Sequence, residues 1–441
     1  MSRTALAIVI TLVLAAGAAL ARLGEAAAQV TAPSDLSANA RAQAPGFPRL
    51  MGMNIGAKHY ERPDYQQSLA RLDVVILGFY RGWGPMGYGA DSTASMRRVA
   101  QTLKTLNPNL LLGQYTLLNE AGDDPADTAS ADLRAKLDGE GWWLRNAAGR
   151  KVQWTSAYGA WEVNFTRWAR PDASGRRWPE WLAERNHAVF FRNIPEFDIV
   201  YLDNVMATPR VSADWDGDGR DDDPRSQSIT TAFRSGQRAY WDRLRALQPG
   251  ALLIGNADND LLDPEWTGQL DGAFLEALMG KTWSIEYRKG WVAMMARYRA
   301  AIANTRAPRI VGFNVWGDPS DHRFFRYAYA SCLLDDGYFS FTDATVGYSS
   351  VPWFAEYDYK LGQATSPPPA EPWSNGVWRR DFERGVVLVN PLPFTRVVQV
   401  ESGLQPLPVE AANRSPAELL AGRIVLEPWD GIVLARSTPA Q

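Results

Sequence analysis

The chain has 441 residues, 46% hydrophobic and 22% charged, enough for one large domain and a small one and too apolar for a disordered segment. Its net charge of -3 supplies no basic excess to hold a phosphate backbone, which argues against nucleic acid as a partner. The single cysteine, Cys332, excludes an intramolecular disulfide, and its apolar surroundings read as the inside of a helix, not as a nucleophile's setting.

Residues 1–30 read as a signal peptide. Arg3 supplies the positive start, Ala5 to Leu20 is apolar, and small residues stand at two cleavage points, Ala19-Leu-Ala21 and Ala26-Ala-Ala28. The apolar stretch is short for a membrane span, so the expectation is a secreted or periplasmic protein with no stable membrane association after cleavage. An uncleaved anchor is the alternative. Residues 31–46, rich in Ala, Ser and Pro, read as a flexible linker.

From Phe47 onward, short apolar runs alternate with longer amphipathic ones. Strands are predicted at Leu50–Ile55, Val74–Tyr80, Leu110–Tyr115, Ile199–Leu202, Leu252–Gly255, Gly272–Leu275, Ile310–Val315 and Tyr338–Phe341. Helices are predicted between several of them, at Ala94–Leu106, Pro179–Asn193, Thr231–Leu247, Ile285–Asn304 and His322–Leu334. Eight such units over 47–364 match a (β/α)8 TIM barrel. Residues 365–372, with three consecutive prolines, form a linker that helix cannot cross. Residues 373–436 then carry short strand-like runs between Pro, Gly and Asn turns. The predicted fold class is α/β: a TIM barrel followed by a small C-terminal antiparallel β-sandwich.

A barrel of this kind builds its site where the strands end. The strand ends offer Asn54, Arg81, Trp83, Tyr115, Asn204, Asn256, Asp258, Asn314 and Trp316 as candidate substrate-binding groups. Any one of them has a plain alternative as an ordinary polar loop residue; the pattern at every strand end points to a site. Tyr80, Trp154 and Trp283 join Trp83, Tyr115 and Trp316 as candidate platforms for sugar rings, whose apolar faces suit broad aromatic surfaces. The long insertion before the fourth strand, with Trp142, Trp143, Trp154, Trp161 and Trp168, reads equally as a cleft wall or a small hydrophobic subdomain.

Two buried runs end on carboxylates: Phe197-Asp-Ile-Val-Tyr-Leu-Asp203 and Gly272-Ala-Phe-Leu-Glu276. Glycosidic cleavage needs one carboxyl group to protonate the leaving oxygen and another to attack the anomeric carbon or activate water. The short side chain of Asp203, fixed by the sheet, suits the nucleophile, and Glu276 suits the acid/base. The roles can be exchanged, Asp258 is a rival acid/base, and either carboxylate could simply cap a helix or pair with Arg. Only His59, His187 and His322 are present, without zinc-site spacing, and no nucleophile elbow or nucleotide-binding glycine motif occurs, so no organic cofactor is expected.

Asp214-Trp-Asp216-Gly-Asp218-Gly219-Arg220-Asp-Asp222 places oxygen donors at positions one, three, five, seven and nine of an EF-hand-like loop, with Gly at six. The expected occupant is a structural calcium ion. Arg225 stands at position twelve, where the bidentate Glu belongs, and an acidic solvated loop is the plain alternative.

Tyr201-Leu-Asp203-Asn-Val, the strand ending in Glu276, the acidic loop, and Arg380-Asp-Phe-Glu-Arg-Gly-Val-Val-Leu-Val-Asn390-Pro together resemble the glycosyl-hydrolase-like barrel proteins of bacteria, the hypothetical glycosyl hydrolase family fifteen. That resemblance covers about Arg49 to Ala435. It implies a barrel and β-sandwich as in α-amylase and α-galactosidase relatives, with the nucleophile at Asp203 and the acid/base at Glu276. Two functions stay open: a secreted, retaining glycosidase acting on a polysaccharide or oligosaccharide, and a non-catalytic carbohydrate-binding barrel.

Overall fold

The computed structural model describes residues 46–84, 92–257, 263–407 and 422–437, together with Ala38 and Ala42. The expected signal peptide, nearly all of the linker before Phe47, and Asp258 lie outside the described residues. Among the described residues no helix is long and apolar enough to cross a membrane.

In chain order the strands are β1 (Met51–Asn54), β2 (Val74–Leu77), β3 (Leu111–Leu117), the hairpin β4 (Glu120–Gly122) and β5 (Ala160–Glu162), then β6 (Ile199–Asp203), β7 (Leu252–Gly255), β8 (Gly272–Met279), β9 (Ile310–Gly317) and β10 (Tyr338–Asp343). Leaving out the hairpin, these form one eight-stranded sheet in the order β1-β2-β3-β6-β7-β8-β9-β10, every neighbour pair parallel. A parallel bridge between Leu50 and Phe339 joins its first and last strands. This is the expected (β/α)8 barrel.

The two-residue period of a strand explains how the apolar runs divide. Val74 and Ile76 join Met51, Leu111, Ile199, Ile254 and Ile310 in the barrel's interior, while Val75 and Leu77 pack outward against the helices with Leu103 and Leu112. Both faces are buried, which is why these strands read as continuous apolar segments instead of alternating ones.

Two segments expected as single helices are interrupted. The segment expected to be one helix over Ile285–Asn304 is two, Ile285–Lys289 and Trp291–Asn304, because Gly290 takes φ 82° and interrupts the hydrogen-bond ladder. The helix from Trp178 gives way after Asn186 to a wider π turn over His187–Phe191. Cys332 is buried in the helix His322–Leu333.

The C-terminal part has β11 (Trp378–Phe382), β12 (Gly385–Asn390), β13 (Arg396–Gln399), β14 (Leu404–Pro406), β15 (Arg423–Leu426) and β16 (Asp430–Arg436). An antiparallel sheet β11-β12-β16-β14 faces the pair β13-β15 across a shared core that includes Val386, Leu388, Val398, Ile424 and Leu434. On the other face of β12, Val387 and Val389 join the barrel's core. The sandwich is thus seated on the barrel, and the buried Arg326–Asp430 pair, at 3.1 Å, crosses the same seam.

Candidate active site

β6 is buried until its last residue, and Asp203 emerges there half-exposed. One carboxylate oxygen, Oδ1, accepts from the backbone N–H of Asn204 at 2.9 Å and from Asn256 Nδ2 at 3.0 Å. The other, Oδ2, accepts a short bond from the hydroxyl of Tyr115, which lies on β3 and stacks on Tyr201.

Glu276 reaches the same place by a different local device. β8 runs on to Met279, but its pairing with β9 slips between Leu275 and Met279, and Ala277 adopts φ 47°. Such an irregularity re-aims a side chain that a regular strand would point elsewhere. The displaced N–H of Ala277 is taken up by Asn314 Oδ1 at 3.0 Å. Glu276 Oε2 then accepts from the same Asn256 nitrogen at 3.0 Å, and Oε1 accepts from the Tyr348 hydroxyl at 2.6 Å.

Asn256 therefore bridges the two carboxylates, and each carboxylate holds one tyrosine hydroxyl. Burial, followed by the nearby negative charges, raises Tyr115 and Tyr348 well above the ordinary tyrosine range, so both stay protonated and donate. The arrangement holds two carboxyl groups in fixed orientations on one shared amide, which suits acid/base work with a second carboxylate beside it.

The remaining expected binding residues divide by burial. Asn54 and Asn314 are almost wholly buried and act inside the protein: Asn54 donates to Tyr65 and to the Ser350 carbonyl, and Asn314 supports Ala277 while donating to Ser340 and Thr342. Trp83 is also buried, packed on Tyr60 and Phe79 with its N–H on the Lys58 carbonyl, so it has no open face for a sugar. Arg81 pairs with Asp132 at 3.2 Å. Direct sugar binding by Asn54, Asn314 and Trp83 is thus corrected to structural support. Asn204 keeps a place at the Asp203 strand end with φ 53°. Trp316 is half-buried, edge-on to Tyr348, with Lys281 Nζ 3.9 Å from its ring centre.

Tyr348 was not singled out in the sequence. It follows the eighth barrel strand in Val-Gly-Tyr348-Ser-Ser, and its place after a strand end is the only local signal it gives. A second missed group is the hairpin beside Asp203. Glu120 and Glu162 stand opposite one another on β4 and β5, and Arg210, from the segment after β6, bonds both, at 2.7 and 2.8 Å. One guanidinium cannot offset two buried carboxylates, and burial pushes Glu162 up to about 7; burial likewise raises Glu120, with Asp203 adding to the effect. Trp154, 44% exposed, donates to Glu120 and lies under Arg210, whereas Trp142 and Trp143 are buried. The insertion therefore packs a small hydrophobic core and leaves Trp154 exposed beside Glu120.

The acidic loop brings Asp214, Asp216 and Asp218 together, with ligand oxygens within 4.8 Å of one another. Asp214 accepts from the N–H groups of Gly217 and Gly219, and Gly219 takes φ 86°, the turn that position six requires. Asp222 is not one of this trio: its Oδ2 accepts from the N–H of Trp215 at 2.8 Å, and it stands near enough to Asp216 and Asp218 that burial, followed by their charges, raises its carboxyl above the ordinary range. Arg220 could offer only its carbonyl. Three carboxylates suit a hard, oxygen-seeking cation such as calcium.

A parallel eight-stranded barrel with paired carboxylates at its strand ends is an arrangement that glycoside hydrolases use. The chain belongs to hypothetical glycosyl hydrolase family 15, whose model matches residues 109–386. Among solved structures it is similar to the glycoside hydrolase domain of PelA from Pseudomonas aeruginosa, at 15% identity over 70% of this chain and 98% of that one, TM-score 0.42. It is also similar to an Anoxybacillus alpha-amylase, at 10% identity over 91% and 99% of the two chains, TM-score 0.45. A MutB mutant in complex with the substrate sucrose is 13% identical over 89% and 100%, TM-score 0.50. At these identities the likeness is one of fold. No curated protein matches the chain.

Proposed function

We propose that this chain is an exported glycoside hydrolase that cleaves an oligosaccharide or polysaccharide with retention of anomeric configuration. The observation that carries the reading is the bridge at Asn256. Asp203 Oδ1 and Glu276 Oε2 each lie 3.0 Å from one nitrogen, so these oxygens are at most about 6 Å apart. Retaining enzymes hold their carboxyl groups about 5 to 5.5 Å apart, and inverting enzymes about 6.5 to 9.5 Å.

In the first step Asp203 attacks the anomeric carbon as the bond to the leaving oxygen breaks, and Glu276 gives its proton to that oxygen. In the second, Glu276 takes a proton from water, whose oxygen displaces Asp203 and releases the sugar. Three donors hold the Asp203 carboxylate in one orientation for that attack. Export rests on the amino-terminal pattern of residues 1–30. A structural calcium in the Asp214–Asp218 loop is part of the same reading and supplies no step of the chemistry.

The test is sugar release by the purified mature chain from a panel of bacterial and plant glycans, beside Asp203→Asn and Glu276→Gln. Release abolished in both variants, with the first-formed anomer matching the substrate's by proton NMR, is the expected result. Release that survives Asp203→Asn would sink the assignment, and binding without release in all three proteins would favour a non-catalytic carbohydrate-binding barrel.

A further inference from the structure

A pocket of about 290 Å³ opens beside Glu276, lined by that carboxyl group together with Trp283, Ser284, Ile285, Arg288 and Lys289. Its charge is unbalanced. Arg210 is matched by two glutamates and Arg81 by Asp132, whereas neither Arg288 nor Lys289 forms an ion pair with a carboxylate among the described residues. Both are exposed, and Trp283 beside them is 52% exposed, an indole surface open to solvent. Two cations at consecutive positions on one pocket wall repel one another, and an anion in the pocket relieves that repulsion.

We propose that this pocket is a subsite for an acidic sugar, its carboxylate held by Arg288 and Lys289 and its ring lying on Trp283. The inference deepens the hydrolase reading and rests on it: the substrate is an anionic glycan containing uronic acid. The planar fork of Arg288 can meet both carboxylate oxygens, and Lys289 adds a point charge. A neutral sugar could accept hydrogen bonds from these groups but would leave their charge unmatched.

The experiment is calorimetric binding of oligogalacturonate, oligoglucuronate and alginate oligomers, against cello- and malto-oligosaccharides of equal length, to the mature Asp203→Asn chain. At least one acidic oligomer should bind more tightly than every neutral one, and its affinity should fall steeply between 50 and 500 mM salt, as an electrostatic contact requires. Arg288→Gln and Lys289→Gln should each weaken acidic binding about three- to tenfold and leave neutral binding unchanged. Trp283→Ala should weaken binding without altering the salt dependence.

Acidic oligomers that bind no better than neutral ones, or that bind equally well to both charge variants, overturn the subsite. Hydrolysis separates the two readings. A neutral glycan cleaved in an Asp203-dependent way, with Arg288 and Lys289 dispensable, removes the subsite and keeps the hydrolase. Acidic binding that depends on these two residues, without cleavage by the unmodified chain, supports the subsite and sinks the hydrolase.

Discussion

Asn204 and Ala277 share a left-handed backbone, φ 53° and 47°, and each immediately follows one of the paired carboxylates. For residues with a Cβ this conformation costs roughly 1–2 kcal/mol, and such costs gather at sites whose geometry the surroundings enforce. At Ala277 the enforcing partner is Asn314, which accepts its N–H from within the core. Asn314→Ala should therefore leave a buried donor unsatisfied and destabilise the chain by about 1–3 kcal/mol. Activity should fall further than stability explains, because Glu276 loses its orientation. Denaturant melts read beside turnover at a temperature where the variant is fully folded would check this; turnover equal to the unmodified chain's would refute it.

The Asn256 amide donates to both carboxylates. Asn256→Ala should lower kcat on the order of a hundredfold with little change in Tm, since the residue is half-buried at the site's surface and its loss misplaces two reacting groups at once. Asn256→Asp adds a third negative charge between two others. Like charges at that spacing disfavour ionisation, so the pH–rate profile should move upward in pH as well as fall. An unshifted profile for the Asp variant would mean that the three groups are not coupled.

The barrel was legible in the sequence because its strands are buried on both faces, so their apolar runs stand out against amphipathic helices. Asp203 and Glu276 were legible for the same reason, as charges ending such runs. The supporting groups were not. Tyr348, Arg210 and Glu162 take their places through contacts distant in sequence, and nothing local distinguishes Glu162 from a surface glutamate. Asn54, Trp83 and Asn314 were misread because strand-end position was taken as exposure, while Asn54 and Asn314 still face packed neighbours and Trp83 tucks back under its own loop. The helix break at Gly290 was hidden by good helix formers on both sides.

Arg210 holds the two glutamates of the hairpin wall, and removing it strands two buried carboxylates. Arg210→Ala should destabilise the chain by about 3–5 kcal/mol, the cost of breaking a buried pair by deleting one partner. The pH dependence follows from Glu162, raised to about 7 by burial. A carboxyl group with its folded value raised binds more protons folded than unfolded between its ordinary value and about 7. Its contribution to stability is therefore complete below the ordinary carboxylate range and lost as the pH rises through about 7. Glu162→Gln should flatten the fall in stability between pH 5 and 7.5, seen in urea melts at several pH values. A slope unchanged by that substitution would show that Glu162 is ionised throughout.

The acidic loop is tied to the insertion that precedes β6. Asn164 donates to the Trp215 carbonyl, Ala147 donates to Asp221, and Trp215 packs against Phe165 and Phe233. Asp214, Asp216 and Asp218 converge within this short segment, so their mutual repulsion is a local cost that a bound cation would remove. If calcium occupies the loop, the folded chain should gain about 1.4 to 2.7 kcal/mol at ten to a hundred times the Kd, because the ligand set does not exist in the unfolded chain. Calcium should then raise Tm, a chelator should reverse the rise, and Asp214→Asn with Asp218→Asn should abolish it. A Tm indifferent to calcium in the unmodified chain would make the loop an acidic turn held by its own backbone donors.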